Sequence, residues 1–304
     1  IRSISTVLAL CVGSMSIACG DQAADIQKTY AEIEAAWGFV PEFIRVMPAQ
    51  AVSGVWEAHR GLYSPTSAIP KKYKSLISLG VAAQIPCRSC VYMTTEFLKA
   101  DGATPQELQE AVGVAAIVRN LSSFLNGIQL DEGLFRSETD SVIGFVRARM
   151  NPQPPEVPVV QPPVEIRTVE EAYADIRLTL GILPTFLKEY PAEGIVGTWK
   201  EMKGLQLGQT SVPNKYKELL GLAVASQVPC RYCTYFHTET AKLNGASDQE
   251  VREAAAVAGL SFHMATYLNG SNLDEAMFRS EIDRIVKFMH PVVPPEQTKR
   301  VRLQ

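Results

Sequence analysis

The chain has 304 residues, a length typical of two domains of about 150 residues each. Hydrophobic residues make up 46% of it and charged residues 20%, which excludes a largely disordered protein. Lys and Arg number 29 against 32 Asp and Glu, so no basic excess is available to neutralise phosphates and we expect no nucleic-acid partner.

The N-terminal segment resembles an export signal. Residues 4–18 are mostly apolar or small and carry no charge, but a membrane-spanning helix needs about 20 apolar residues. Arg2 precedes them, and the sequence SIAC at 16–19 is similar to a bacterial lipobox with Cys19 as the lipidation candidate. Residues 1–19 are therefore predicted to be a signal peptide or lipoprotein signal, and the protein to be periplasmic or lipid-anchored in the bacterial cell envelope. The alternative is a buried N-terminal helix.

The remainder of the chain contains one unit twice. Trp56 corresponds to Trp199, and the sequence FRSE occurs at 135–138 and again at 278–281, each time at a shift of 143 positions. This period is too long for a solenoid and indicates a duplicated domain. A proline-rich segment between the copies is typical of an extended spacer. We predict a first domain at 22–150, a linker at 151–166 and a second domain at 167–304.

Each copy is predicted to be helical throughout. Capping boxes at 104–107 and 247–250 open Ala-rich runs that indicate long helices near 105–124 and 248–268. Each copy ends with an amphipathic helix, near 133–149 and 276–289. No alternating, β-branched pattern typical of strands occurs. The predicted fold class is all-α.

Each copy carries one pair of cysteines in a CxxC motif, Cys87 with Cys90 and Cys230 with Cys233. A proline precedes each motif and predicts that the pair lies at the first turn of a helix. The positive end of the helix dipole favours a thiolate there. The spacing of three residues puts both sulfurs on one helix face, where they can form a disulfide.

The second copy adds an acid and a base to its dithiol. His237 lies four residues after Cys233, one helical turn along the same face, and Glu218 lies twelve residues before Cys230. A base one turn from a thiol is the usual arrangement for activating a nucleophile.

These four residues match the motif of the alkylhydroperoxidase D branch of the carboxymuconolactone decarboxylase-like proteins. The resemblance covers the helical part of both copies, roughly 25–148 and 168–290. It implies two tandem copies of an alkylhydroperoxidase D-like helical domain, a homo-oligomer formed as a trimer of two-domain chains, and a dithiol that reduces peroxides or disulfides without a cofactor.

The resemblance also implies a role for each residue. Cys233 would attack the peroxide and Cys230 would resolve the sulfenic acid into a disulfide, while Glu218 and His237, linked through water, would move protons. The implied partners are a small hydroperoxide or disulfide substrate and an unidentified thiol electron donor. The predicted function is that of a thiol-dependent peroxidase or thiol–disulfide oxidoreductase.

The first copy departs from this motif. Ser75 stands in the position of the glutamate and Thr94 in that of the histidine. The Cys87/Cys90 dithiol therefore lacks a proton relay, and it is a possible second redox pair, an electron relay or a structural disulfide.

Other functions remain open from the sequence. The two CxxC motifs together could supply four zinc ligands, although they lie in equivalent places of two similar domains and we predict no metal. Export exposes the dithiols to an oxidising environment, where both pairs could be structural disulfides of a non-enzymatic helical module. A decarboxylase-like activity is a third alternative, but it needs no CxxC motif.

Overall fold

A computed structural model describes residues 24–150 and 165–291 of the chain. Every regular element within these two ranges is a helix, which confirms the all-α fold class. The predicted export signal with Cys19, and residues 151–164 of the predicted linker, lie outside the described residues.

The helices follow the repeat. In the first half they are α1 over 24–37, α2 (Glu42–Arg45), α3 (Ala49–Leu62), α4 (Lys71–Gln84), α5 (Arg88–Ala100), α6 (Pro105–Ile128) and α7 (Glu132–Met150). In the second half they are α8 (Val169–Leu180), α9 (Thr185–Lys188), α10 (Ala192–Glu201), α11 (Asn214–Gln227), α12 (Arg231–Leu243), α13 (Asp248–Gly270) and α14 (Glu275–Met289), with a π-helical segment, Met202–Leu207, after α10.

Local sequence signals set where these helices begin. Thr104 and Glu107 form the predicted capping box of α6, and Ser247 and Glu250 form that of α13. In each box two backbone N–H groups that have no partner within the helix find a side-chain acceptor. The structure extends both helices beyond the predicted ends, to Ile128 and Gly270.

The two halves pack as a pair around four central helices. Helices α4 and α6 of the first half contact α11 and α13 of the second. At the centre the rings of Tyr73 and Tyr216, which correspond to each other in the repeat, stack with centroids 3.6 Å apart. Helix α6 has the length and apolar composition of a membrane span, but this packing makes it a core helix of the described fold.

The last helix of each half crosses to the other half. Helix α7 packs on α12, and α14 packs on α5. Matched hydrogen bonds accompany the crossing: Tyr235 donates to Asp140 over 2.6 Å, and Tyr92 donates to Asp283 over the same distance. Each CxxC helix is therefore covered by a helix of the opposite half.

The crossing of α7 and α14 leads to a prediction about proteolytic cleavage between the two halves. The sequence predicts an extended spacer between the halves, and such spacers are readily cleaved, so limited proteolysis is expected to cut first within 151–164, apart from the N-terminus. The two helical fragments should nevertheless co-elute in gel filtration, because α7 and α14 each remain packed on the other fragment. Fragments that separate without denaturant would contradict the crossed packing.

Candidate active site

Each CxxC pair lies at the start of a helix, as predicted. Cys230 is the N-cap of α12, and its sulfur accepts a hydrogen bond from the backbone N–H of Cys233 over 3.2 Å. Cys87 and Cys90 form the same arrangement at the start of α5. The sulfurs of both pairs lie at disulfide distance, with Cα atoms 5.4 and 5.3 Å apart, and all four side chains are buried.

Glu218 and His237 meet directly beside the second pair. Helix α11 carries Glu218 and α12 carries His237, and Nδ1 of the imidazole lies 2.7 Å from Oε2 of the carboxylate. Both side chains are buried. This direct contact differs from the link through water that the family resemblance implied, because α11 and α12 pack closely enough for the two side chains to touch.

The contact between Glu218 and His237 depends on close packing at Gly221. A Cβ atom at Gly221, one turn after Glu218 on α11, would lie 2.6 Å from the His237 ring. The corresponding position in the first half is Ser78. The histidine can therefore lie flat against the backbone of α11 only because residue 221 has no side chain.

Two further side chains hold the Glu218 carboxylate. Thr240 donates a hydrogen bond to Oε2 over 2.7 Å, and Gln206 donates one to Oε1 over 2.8 Å. Burial works to raise the pKa of Glu218, but the hydrogen bond and charge of His237, together with the Thr240 and Gln206 bonds, outweigh it and hold the pKa below its ordinary value. The carboxylate is therefore charged at neutral pH.

The π-helical segment after α10 brings Gln206 to this site. The wider turn of a π-helix inserts a residue into the helical register, and such turns often occur at functional sites. Below it the buried Lys217 ammonium donates to the carbonyl oxygens of Leu205 and Gly208 over 2.8 and 2.5 Å. A buried charge is tolerated only when it is hydrogen-bonded, so Lys217 fixes the backbone that carries Gln206.

The first half supplies one polar contact to the second pair. Ser122 on α6 is fully buried, and its hydroxyl donates a hydrogen bond to the Cys233 sulfur over 3.1 Å. The residue that corresponds to Ser122 in the second half is Ala265, so the first pair has no matching donor from α13. Ser122, Gln206, Thr240 and Gly221 were not identified from the sequence.

A small apolar pocket adjoins Cys233 and His237. Its volume is about 30 Å³, enough for about one water molecule. Apart from Cys233, His237 and Gln206, its lining is apolar: Ile117, Val118, Leu121, Leu125, Phe135, Phe186, Met202 and Phe236. Because α6 and α7 of the first half provide five of these residues, the site is built from both halves.

The first pair has different surroundings. Ser75 on α4 and Thr94 on α5 are buried at the positions that Glu218 and His237 occupy in the second half. Within each CxxC motif the two sulfurs lie at disulfide distance from each other. Among residues 24–150 and 165–291, no group of three or more His, Cys, Asp or Glu side chains is placed to hold a metal ion. The arrangement required by the zinc alternative is therefore not formed among these residues.

Comparison with known proteins gives one match. The model of the carboxymuconolactone decarboxylase family matches residues 50–131 and 195–270, one segment in each half, and together these cover just over half of the chain. No curated protein and no solved structure matches significantly. The chain therefore belongs to the carboxymuconolactone decarboxylase family, whose model it matches in both halves.

Proposed function

We propose that the protein is a thiol-dependent peroxidase of the alkylhydroperoxidase D type, working through Cys230 and Cys233. The observation that carries the proposal is the buried hydrogen bond between Glu218 and His237, one helical turn from Cys233. A structural disulfide needs neither a base nor a buried carboxylate held by three side-chain hydrogen bonds. Catalysis gives both residues a purpose.

The cycle begins with the reduced dithiol. His237 takes the proton of the Cys233 thiol, and the charge of Glu218 stabilises the imidazolium that forms. The thiolate attacks one oxygen of the hydroperoxide, the O–O bond breaks, and the proton returns from His237 to the departing alkoxide, which leaves as an alcohol. Cys233 is then a sulfenic acid.

Cys230 completes the reaction. Its thiol attacks the sulfenic sulfur of Cys233, forming the disulfide and releasing water. The Cα separation of 5.4 Å allows this bond without movement of the helix start. An external dithiol then returns two electrons and two protons. One hydroperoxide and one dithiol are converted into one alcohol, one water and one disulfide.

Ser122 acts in this scheme as a positioning residue, because its hydroxyl donates to the Cys233 sulfur. A hydrogen bond to a charged acceptor stabilises it more than one to a neutral acceptor. Ser122→Ala should therefore slow alkylation of reduced Cys233 by iodoacetamide at pH 7 about 3–10-fold. Ser123→Ala is the control, because the Ser123 hydroxyl on the same helix donates to the backbone carbonyl of Arg119, one turn earlier, and not to a cysteine. Equal rates for the two variants would contradict the role of Ser122.

The main alternative is a non-enzymatic module with two structural disulfides, and the first half provides its best example. Cys87 and Cys90 are buried, and Ser75 and Thr94 stand at the positions of the Glu218–His237 acid–base pair. Structural disulfides typically have reduction potentials below about −300 mV. We propose that Cys87–Cys90 is of this kind and that Cys230–Cys233 is more readily reduced. A decarboxylase activity has no specific observation in its favour.

A peroxide-consumption assay tests the proposal. The full chain, an organic hydroperoxide and dithiothreitol should give saturable consumption above the uncatalysed rate, with one dithiothreitol oxidised for each peroxide consumed. If the protein adds nothing to the uncatalysed rate while both pairs are demonstrably reduced, the peroxidase proposal is wrong and the structural-module alternative takes its place.

We further propose that the protein is exported from the cytoplasm and that it forms an oligomer. An exported enzyme of this type would need a thiol donor outside the cytoplasm, because an oxidising environment otherwise keeps the pair as a disulfide. We also propose a homo-oligomer, for which the family resemblance is the support.

A further inference from the structure

The first half contains a large cavity where the second half has its small pocket. Its volume is about 460 Å³, compared with about 30 Å³ beside Cys233. Ser75 and Thr94 line the cavity, and Phe43 and Met264 line it at the positions of Phe186 and Leu121 in the smaller pocket. The two spaces are therefore equivalent in the repeat, and only the first has a size typical of organic ligand sites.

Two smaller residues of the first half leave room for this cavity, and aromatic residues form part of its wall. Ser75 and Thr94 are shorter than the glutamate and histidine that fill the equivalent volume in the second half. The indoles of Trp37 and Trp56 form one wall, edge to face with centroids 5.1 Å apart. Buried aromatic walls offer large apolar contact with a defined geometry.

The crossed helix α14 closes the cavity from the other half. Ile285 and Met289 of α14 and Met264 of α13 also line it. Methionine side chains adapt to irregular apolar partners. Most of the cavity wall is apolar, although Ser75, Thr94 and His59 also line it, so the site suits a molecule that is largely apolar and carries a polar group.

One polar side chain in the cavity wall is His59. Its ring lines the cavity and stacks between Trp56 and Tyr63. Burial, with a smaller contribution from the charge of Lys71, lowers the pKa of His59 to about 4, so the ring is neutral at pH 7. A neutral imidazole nitrogen pairs with a hydroxyl or an N–H group.

The charges at the cavity favour a neutral occupant. Arg60 forms an ion pair with Glu32 over 3.2 Å, and Lys71 forms one with Asp101 over 2.9 Å. Both cations line the cavity, and each has a carboxylate partner that neutralises its charge.

We propose that this cavity binds a small neutral aromatic molecule carrying one hydrogen-bonding substituent, which pairs with His59 while the rings pack against Trp37 and Trp56. The first half is thus a binding site that has lost the acid–base pair of its repeat. This proposal does not depend on peroxidase activity, because it involves neither Cys233 nor His237.

Calorimetric titration of the full chain with 2-naphthol and with naphthalene tests the site. We expect one 2-naphthol bound per chain, and naphthalene bound about 5-fold more weakly because it lacks the hydroxyl. His59→Phe retains the ring but removes its nitrogens, and it should abolish this preference. If 2-naphthol gives no saturable binding up to about 1 mM, the proposal is wrong.

Substitutions that fill the cavity with a larger side chain test whether the probes bind there. Thr94→Phe and Met264→Phe should each weaken binding of both probes at least about 10-fold. Leu121→Phe places the same ring at the corresponding position of the second half and should leave binding unchanged. Circular dichroism melting identifies which variants fold. Binding that persists in a folded cavity-filling variant, or that Leu121→Phe weakens equally, would overturn the assignment.

Discussion

Cys233→Ser should abolish peroxide consumption, whereas the double variant Cys87→Ser/Cys90→Ser should leave it largely intact. Serine has no thiolate to attack the peroxide, so the first variant loses the reaction at its first step. The first pair lacks a base, because Thr94 and Ser75 stand in place of the histidine and glutamate. The measurement is the initial rate of hydroperoxide loss with excess dithiothreitol, at matched protein concentration.

The double variant also controls for nonspecific thiol chemistry, because it retains only the second pair among the described cysteines. Its melting temperature is expected to fall, since Cys87 and Cys90 lie at disulfide distance in a buried site. If the double variant lost activity while Cys233→Ser retained it, the reaction would take place in the first half, and the assignment to the second half would be wrong.

Substitution of the proton-transfer residues His237 and Glu218 should have the second large effect on activity. His237→Ala is expected to lower kcat/KM about 10²–10⁴-fold, the usual range for a positioned acid–base group. Glu218→Gln should cost about 10–100-fold, because the amide keeps the shape but cannot stabilise an imidazolium. The matched control is Glu239→Gln, which changes a partly exposed carboxylate of the same helix α12 that pairs with Lys242. If Glu239→Gln lost as much activity as Glu218→Gln, the effect would be one of net charge.

The pH dependence follows from the lowered pKa of Glu218. Because the fold holds this pKa below its ordinary value of 4.5, the charged carboxylate contributes stability above that value and loses it as the pH falls through the lowered pKa. Protonation of Glu218 should therefore not limit activity between pH 5 and 8. A Glu218→Gln chain should show a smaller loss of melting temperature than the parent chain on acidification below about pH 4.5.

The sequence predicts those parts of the site that depend on local spacing. The dithiols follow prolines at helix starts, and His237 lies one turn from Cys233, so one helix brings them together. Glu218 was placed by the family motif, and close packing of α11 on α12 brings it into contact with the histidine. Periodicity and capping signals act over one or two helices, which is the range in which they are informative.

The remaining parts depend on contacts between distant segments. Ser122 reaches Cys233 across 111 positions in the chain, and Gln206 reaches Glu218 through a π-helical turn that has no sequence signature. In the repeat Ser122 corresponds to Ala265 and Gly221 to Ser78, but the same helices differ at many other positions, so these differences alone do not single out the site. The crossing of α7 and α14 has no sequence signal either, since a helix that packs on either half would show the same amphipathic pattern.

Detection of the oxidised cysteine in Cys230→Ser tests the central claim most directly. Without its resolving partner, Cys233 should retain one oxygen atom as a sulfenic acid after reaction with one equivalent of hydroperoxide. Peptide mass spectrometry after trapping with a carbon-nucleophile reagent, which displaces the sulfenic oxygen as water, should find the reagent's adduct on Cys233, and addition of His237→Ala should slow its appearance about 10²–10⁴-fold. Trapping on Cys87 or Cys90 instead, or at the same rate with and without His237, would contradict the assignment of peroxide reduction to the second half.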